Sequence, residues 1–190
     1  MSFTEGILEF EWHGRGGQGV VTANQLLGSA ALKEGKYIQA FPEFGPERTG
    51  APVKAFLRIS DKVINIYSQV QHPDVSIVID PTLLSLINPV ERLKENGTLI
   101  VNSNKKPKDI RDELNFHHGK LAVVNASEIA LSILKRMFYN TPMLGAVVAV
   151  TQVVKLANIE DVVLERFGEK LGSLNIQAIK KAAEEVLIDE

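Results

Sequence analysis

The chain has 190 residues, of which 45% are hydrophobic, and 21 basic and 23 acidic residues give a formal net charge of −2. This size and composition fit one domain with a sizeable core, and the near-neutral charge provides no global field that would recruit nucleic acid or an anionic membrane. The absence of cysteine excludes disulfides, thiolate zinc sites and iron–sulfur clusters held by this chain. Because no signal peptide or membrane-spanning run is recognisable, we expect a cytoplasmic protein.

Short apolar runs alternate with helical patterns, which is typical of a mainly parallel sheet covered by helices. The runs predict strands at residues 7–12, 36–41, 52–59, 75–79, 97–102 and 120–125. Residues 53–59 and 63–67 alternate with period two and predict a hairpin with one solvated face, so the expected sheet is mixed. The fold class that follows is α/β, with a single Rossmann-like domain over residues 1–190 and helices flanking the sheet.

Helical patterns predict helices at residues 20–34, 82–95, 127–138, 142–155, 159–168 and 175–187. A capping residue and a first-turn proline in Asn140-Thr141-Pro142 indicate the start of a helix. Residues 143–150 are apolar on every side, which indicates burial in the core or against another subunit. The lysine-rich residues 105–108 predict an exposed loop.

The most unusual segment is the glycine-rich loop, Gly14-Arg15-Gly16-Gly17-Gln18-Gly19, between the first predicted strand and the first predicted helix. It matches the spacing G-x-G-x-x-G in the strand–turn–helix context that this motif requires. Such a loop presents backbone N–H groups at the positive end of a helix, where a phosphate binds. We therefore expect a phosphorylated ligand; the alternative is that the glycines only allow the helix to pack closely on the strand.

An NAD site would also need an acidic residue about 20 positions further on, to hold the ribose hydroxyls. That region reads Lys36-Tyr37-Ile38-Gln39-Ala40-Phe41, and the nearest acid, Glu43, follows a proline. The sequence therefore favours a phosphate-bearing ligand in general over NAD.

A second unusual segment, residues 41–52, is rich in proline and glycine and also contains Glu43, Glu47 and Arg48. Its position between two strands is typical of a ligand-binding loop, and its prolines would hold its shape without a ligand. Arg48 offers a planar fork for a phosphate or carboxylate, and Glu43 or Glu47 could orient it. The alternative is a solvated loop whose ion pairs contribute little.

Other polar residues carry weaker signals. His13 and Arg15 could add positive charge to the glycine-rich loop, although a histidine at a strand end is more often a packed residue. Asp80 follows a buried strand and is expected to cap the next helix or to contact a ligand. The adjacent His117 and His118 have no carboxylate arranged beside them, so we expect no metal site. No nucleophile elbow is recognisable, and we assign no catalytic residue to this chain.

Three motifs together, WHGRGGQGV (residues 12–20), FPEFGPERTGAP (41–52) and NTPMLGA (140–146), resemble in order and spacing the gamma subunits of the 2-oxoacid:ferredoxin oxidoreductases. Residues 41–52 look most like the pyruvate branch, pyruvate:ferredoxin oxidoreductase or pyruvate synthase. The resemblance covers nearly the whole chain. Members of this family oxidatively decarboxylate a 2-oxoacid on thiamine diphosphate, pass electrons through iron–sulfur clusters to ferredoxin, and transfer the acyl group to coenzyme A (CoA).

The resemblance implies a subunit that is inactive alone and works with alpha-, beta- and delta-type partners, which would carry thiamine diphosphate and the clusters. It also implies that this subunit helps to position CoA and to assemble the complex. The residues implied to bind CoA are Gly14, Arg15, Gly16, Gly17, Gln18, Gly19, Glu47 and Arg48. A purely structural docking role, or a related complex acting on another 2-oxoacid, remains the alternative, whereas a free-standing NAD-dependent reductase is disfavoured because the ribose acid is missing.

Overall fold

The structure is a computed structural model that describes residues 6–44 and 50–190. It contains a seven-stranded sheet with the strand order β2-β3-β1-β4-β5-β6-β7. The strands are β1 (Ile7–Arg15), β2 (Tyr37–Phe44), β3 (Pro52–Ser60), β4 (Val75–Val78), β5 (Thr98–Asn102), β6 (Lys120–Val124) and β7 (Leu187–Asp189). β1, β4, β5 and β6 are parallel, whereas β3 and β7 run antiparallel to their neighbours. The predicted α/β fold with a mixed, mainly parallel sheet is confirmed.

Helices cover both faces of this sheet. They are α1 (Val20–Lys33), α2 (Leu84–Ile87), α3 (Pro89–Arg92), α4 (Pro107–Leu114), α5 (Ala126–Ile129), α6 (Asn140–Thr151) and α7 (Leu156–Glu185), with a 3₁₀ turn at Pro81–Leu83 and a π turn at Ala130–Leu134. We call face A the side that carries Leu8, Phe10 and Trp12 of β1, where α1, α6 and α7 pack. Face B is the opposite side, where α2 to α4 cover β4, β5 and β6.

The apolar helix α6 lies in the core of face A. Met143, Leu144 and Val147 are fully buried, and a Cβ added to Gly145 would collide with the backbone of Ile179 on α7. The burial predicted for this helix is thus satisfied inside the chain, and no second subunit is needed to explain it. A larger residue at Gly145 would therefore disturb the folding of this chain itself. Such a substitution could not be used to test whether the chain assembles with partner subunits.

The predicted hairpin between residues 53–59 and 63–67 is wrong. β3 has β1 on one edge and β2 on the other, so no edge is left for a further strand. Residues 63–67 form no strand and cross face B, where the Ile66 carbonyl accepts a hydrogen bond of 2.8 Å from Gln39 Nε2 of β2. Residues 63–67 have the period-two pattern of a strand, but both edges of β3 are already paired, one with β1 and the other with β2.

Three predicted helices are shorter or interrupted. The region 82–95 is broken at Asn88, which has a φ of 37°, because the ring of Pro89 disfavours helical geometry in the preceding residue. The region 127–138 ends at Lys135, which has a φ of 54°. The helix predicted over 142–155 also stops early, at Gln152 with a φ of 52°.

Other helix boundaries differ as well. The exposed loop predicted at residues 105–108 is wrong in part, because Pro107 occupies the first turn of α4. The predicted helices 159–168 and 175–187 belong to one segment, α7, which is broken only at Gly168 with a φ of 72°. Residues 187–189 form the edge strand β7. No helix in the described parts of the chain combines the length and apolarity needed to cross a membrane.

Candidate functional site

The glycine-rich loop lies where β1 ends and α1 begins, as predicted. Gly14 and Arg15 close the strand, and Gly19 is the N-cap of α1. Gly17 and Gly19 have φ values of 95° and 78°, in the left-handed region that other residues rarely adopt. The carboxyl ends of parallel strands are the usual position for ligands in α/β sheets.

The glycines of this loop serve different purposes. A Cβ on Gly14 would lie 2.5 Å from Val20 Cγ2, so Gly14 allows α1 to pack closely on β1. A Cβ on Gly17 would meet nothing within 4 Å, so Gly17 is required for its backbone conformation alone. The packing alternative therefore describes Gly14, whereas Gly17 shapes an open surface.

The side chains of the loop are held by Asp80, which follows β4. Gln18 Oε1 accepts from the Arg15 N–H at 2.7 Å, and Gln18 Nε2 donates to Asp80 Oδ2 at 2.7 Å. The Arg15 guanidinium donates to Asp80 Oδ2 at 3.1 Å and to Thr82 Oγ1 at 2.9 Å. Arg15 and Gln18 thus maintain the shape of the loop.

Asp80 also caps the 3₁₀ turn that follows it, as predicted. Its Oδ1 accepts from the Thr82 N–H at 3.0 Å and from the Thr82 hydroxyl at 2.7 Å. Burial raises the pKa of Asp80, but the hydrogen bonds from Thr82 and Gln18 and the charge of Arg15 outweigh burial and bring the pKa below its ordinary value. Both oxygens of an ionised carboxylate are therefore engaged within the protein.

The second unusual segment meets the glycine-rich loop. The Gly16 N–H donates to the Ala51 carbonyl at 2.9 Å, and the Gly50 N–H donates to the Gly16 carbonyl at 3.3 Å. The two motifs are therefore adjacent in space. Glu47 and Arg48 lie outside the described residues, so their role stays a prediction.

A cavity of about 470 Å³ opens on face A beside the loop. Its polar end is formed by Gly17, Gly19, Thr22 and Asn140, and its remaining walls are Leu134, Arg136, Phe138, Phe167, Leu171, Leu174 and Asn175. Sequence reasoning did not find the aromatic and leucine wall, because these residues lie far apart in the chain and are joined only by the packing of α7 beside α6. The arrangement suits a ligand with one anionic and one apolar part.

Two helix N-termini meet at the polar end of this cavity. The first hydrogen bond of α1 runs from the Ala23 N–H to the Gly19 carbonyl at 2.9 Å, so the N–H groups of the preceding first turn have no partner within the helix. α6 begins at Asn140, and the Cβ position of Gly19 lies 2.7 Å from Asn140 Cγ. The partial positive charges of both helix ends therefore favour an anion here.

His13 lies on face B, away from this cavity. It is 3% exposed, and its Nε2 is 3.5 Å from Glu11 Oε2. Glu11 Oε1 also accepts from Arg92 Nη1 at 2.6 Å and lies 3.5 Å from Lys54 Nζ. Burial raises the pKa of Glu11. The effects of His13, Arg92 and Lys54 outweigh burial and bring the pKa below its ordinary value. This charged cluster surrounds a buried carboxylate and does not reach the loop cavity.

Another cavity, of about 390 Å³, lies on the polar face B around Glu9, Arg58 and Lys94. Its charged groups pair with one another or with Asp74: Arg58 donates to Glu9 at 2.8 Å, and Lys94 donates to Asp74 at 2.9 Å. It borders the beginning of β1, at the edge opposite the glycine-rich loop. Within residues 6–44 and 50–190, no group of three or more His, Asp or Glu side chains is placed to hold a metal ion.

Comparison with known proteins identifies the family. The model of the family "Pyruvate ferredoxin/flavodoxin oxidoreductase" matches residues 9–185. The pyruvate/ketoisovalerate oxidoreductases common subunit gamma of Thermococcus kodakarensis is 47% identical over 184 residues, which cover 97% of this chain and 100% of that protein. The pyruvate synthase subunit PorC of Methanocaldococcus jannaschii is 43% identical over 181 residues, which cover 95% of this chain and 98% of that protein.

The fold is shared with a solved relative. The crystal structure of the pyruvate oxidoreductase subunit PORC of Thermotoga maritima superposes with a TM-score of 0.87 at 45% identity, and the match covers 97% of this chain and 99% of that one. The family match, the full-length relatives and the shared fold lead to one conclusion. The chain belongs to the pyruvate ferredoxin/flavodoxin oxidoreductase family.

Proposed function

We propose that this chain is the gamma subunit of a multi-subunit pyruvate:ferredoxin oxidoreductase and helps to position CoA and to assemble the complex. The complex converts pyruvate, CoA and oxidised ferredoxin to acetyl-CoA, CO₂ and reduced ferredoxin. Thiamine diphosphate and the iron–sulfur clusters belong to alpha-, beta- and delta-type partners. The observation that carries this proposal is the cavity whose polar end is formed by the glycine-rich loop and the N-termini of α1 and α6.

The chemistry of this cavity fits CoA. CoA combines a diphosphate, a further phosphate and a long uncharged arm, and the N–H groups at the start of α1 are suitable donors to the diphosphate. Phe138, Phe167 and Leu171 provide an apolar wall for an uncharged part of the molecule. The exposed Arg136 at the rim offers positive charge to the remaining phosphate, and the sequence suggests Arg48 for the same role.

A related oxidoreductase is a second candidate, because the Thermococcus relative is named as common to a pyruvate and a ketoisovalerate enzyme. In both cases the 2-oxoacid would be selected on the partner chains, and the role of the gamma subunit would be the same.

A purely structural role is favoured by a different observation: Leu131, Met137 and Leu171 are 57–68% exposed, as expected of a surface that docks another chain.

Gly17→Ala in the assembled complex tests the proposal. Alanine fits the space at this position but resists a φ of 95°, so the loop should change its shape and lose N–H contacts to the ligand. We expect the KM for CoA to rise about tenfold, which corresponds to roughly 1.4 kcal/mol of lost binding, with the KM for pyruvate unchanged.

Gly35→Ala is the matched control. Gly35 also has a positive φ, 75°, and open space around it, but it lies in the turn after α1, at the far end of that helix. It should leave the KM for CoA unchanged. A Gly17→Ala chain that joins its partners with a normal KM for CoA would contradict the proposed positioning of CoA, and one that fails to join its partners would support the docking role.

A further inference from the structure

Asn140 is a buried amide without a hydrogen-bond partner among the described residues. It is 8% exposed and lines the cavity beside Gly17 and Gly19. Among the hydrogen bonds of residues 6–44 and 50–190, none involves its side chain. Its polar atoms are not among the fully enclosed ones, so the amide is open to the cavity.

The polar side chains next to Asn140 are held by hydrogen bonds, and Asn140 differs from them in this respect. The Thr141 hydroxyl donates to Asn175 Oδ1 at 2.7 Å, and Asn175 Nδ2 donates to the Leu171 carbonyl at 2.8 Å. These bonds anchor the first turn of α6 to α7. The backbone that carries Asn140 is therefore held rigidly, while no described residue pairs with the donor or the acceptor of its side chain.

Position and chemistry together indicate a ligand. Buried polar side chains are normally hydrogen-bonded, and an exception calls for an unoccupied partner. The Asn140 amide lies between the positive ends of two helices of 14 and 12 residues, and an anion is the partner that all three donor groups favour.

We propose that Asn140 binds the phosphorylated ligand directly, its Nδ2 donating to a phosphate oxygen held between the N-termini of α1 and α6. The ligand class is a diphosphate-bearing molecule whose uncharged part lies along Phe138, Phe167 and Leu171. The inference rests on the proposed function and extends it, because it adds α6 to a site that the glycine pattern assigned to α1 alone.

Asn140→Asp in the assembled complex gives opposite results for a binding role and a structural role. Aspartate has the same shape and is favoured at a helix N-terminus, so a purely structural Asn140 predicts an unchanged or higher melting temperature and unchanged CoA binding. A binding role predicts repulsion of the phosphate. We expect at least a tenfold rise in the KM for CoA and a normal KM for pyruvate.

Calorimetry on the same complex measures the binding of the phosphate-bearing part of the ligand and of the uncharged part separately. ADP serves as a probe that carries a diphosphate, and pantetheine as a probe without phosphate. Asn140→Asp should weaken ADP binding at least tenfold and leave pantetheine binding unchanged. Equal weakening of both probes, or of neither, would overturn the assignment of Asn140 to a phosphate.

Asn104→Asp is the charge-matched control, because Asn104 is exposed in the turn after β5 and should leave both probes unaffected. If Gly17→Ala raises the KM for CoA but Asn140→Asp does not, the inference fails and the proposed function stands. If neither variant changes it, both fail. Should Asn140→Asp prevent assembly, Asn140→Ser decides: a KM for CoA at least threefold above normal supports the inference, and a normal KM rejects it.

Discussion

The two faces of β1 differ in how their polar groups are satisfied, although alternate residues of one strand form both. On face B the strand carries charged side chains, and each has a nearby partner. Glu9 pairs with Arg58 at 2.8 Å, Glu11 with Arg92 at 2.6 Å, and Arg15 with Asp80 at 3.1 Å.

Apart from the buried indole N–H of Trp12, face A is apolar along β1, and its solvent-accessible polar groups lie beyond the end of the strand. Leu8, Phe10 and Trp12 are at most 4% exposed and pack under α1, α6 and α7. At the cavity that follows, the first-turn N–H groups of α1 and the Asn140 amide have no partner among the described residues.

This difference separates a scaffold from a binding surface. Burying charge is costly unless it is paired, so the pairs on face B satisfy the charged groups of β1 within the fold, although the ring nitrogens of His13 are enclosed there without a hydrogen-bond partner among the described residues. Donors that stay unpaired beside an open cavity are different, because they remain accessible to solvent and to a bound molecule that can replace the solvent. Disturbing face B should therefore change stability first, whereas disturbing the polar end of the cavity should change ligand binding first.

Arg92→Met should have the largest effect on stability. It removes the closest partner of Glu11, which is 1% exposed, and leaves a buried carboxylate with Lys54 and His13 each 3.5 Å away. We expect the free energy of unfolding to fall by about 3 kcal/mol, measured by urea denaturation. Arg166→Met, at an exposed position on α7, is the control and should change it by less than about 0.5 kcal/mol. Equal losses in both variants would contradict a special role for the face B pairs.

Gly14→Ala should have an intermediate effect, because it tests the contact between β1 and α1. The new Cβ would lie 2.5 Å from Val20 Cγ2, and Val20 is 3% exposed, so α1 must shift. We expect a loss of about 2 kcal/mol from overpacking. In a double-mutant cycle, Val20→Ala should cost less stability in the Gly14→Ala chain than in the original chain. Additive losses would show that the two sites do not meet.

Much of the fold could be predicted from sequence because its signals are local. The strands around 7–12, 75–79, 97–102 and 120–125 are short apolar runs, and burial on both faces gives such runs their composition. The glycine-rich loop was placed correctly because its glycines are tied to a strand end and a helix start. The family was also identifiable, because three separate motifs occur in the expected order.

The remaining features depend on contacts between distant parts of the chain. Nothing in residues 63–67 shows that β3 is already paired on both edges. Asn140 is recognisable as a helix-start residue, but its position beside Gly19 follows from the packing of α6 against α1. The pairing of Arg15 with Asp80, by which this side chain holds the loop, was likewise not predicted, and the role of Arg15 in ligand binding stays a prediction.

Asp80→Asn should have the smallest effect on stability, about 1 kcal/mol at neutral pH. Gln18 cannot compensate by turning its amide, because its oxygen already accepts from the Arg15 N–H.

The pKa of Asp80 is lower in the folded chain than its ordinary value, so ionised Asp80 stabilises the fold above that value. This contribution is lost as the pH falls from the ordinary value through the lower folded one. The unfolding free energies of the two chains should converge over that range. Asp112→Asn, at an exposed position, is the control and should change the stability at neutral pH by less than about 0.5 kcal/mol. A constant difference for Asp80→Asn would mean that its charge does not anchor the loop.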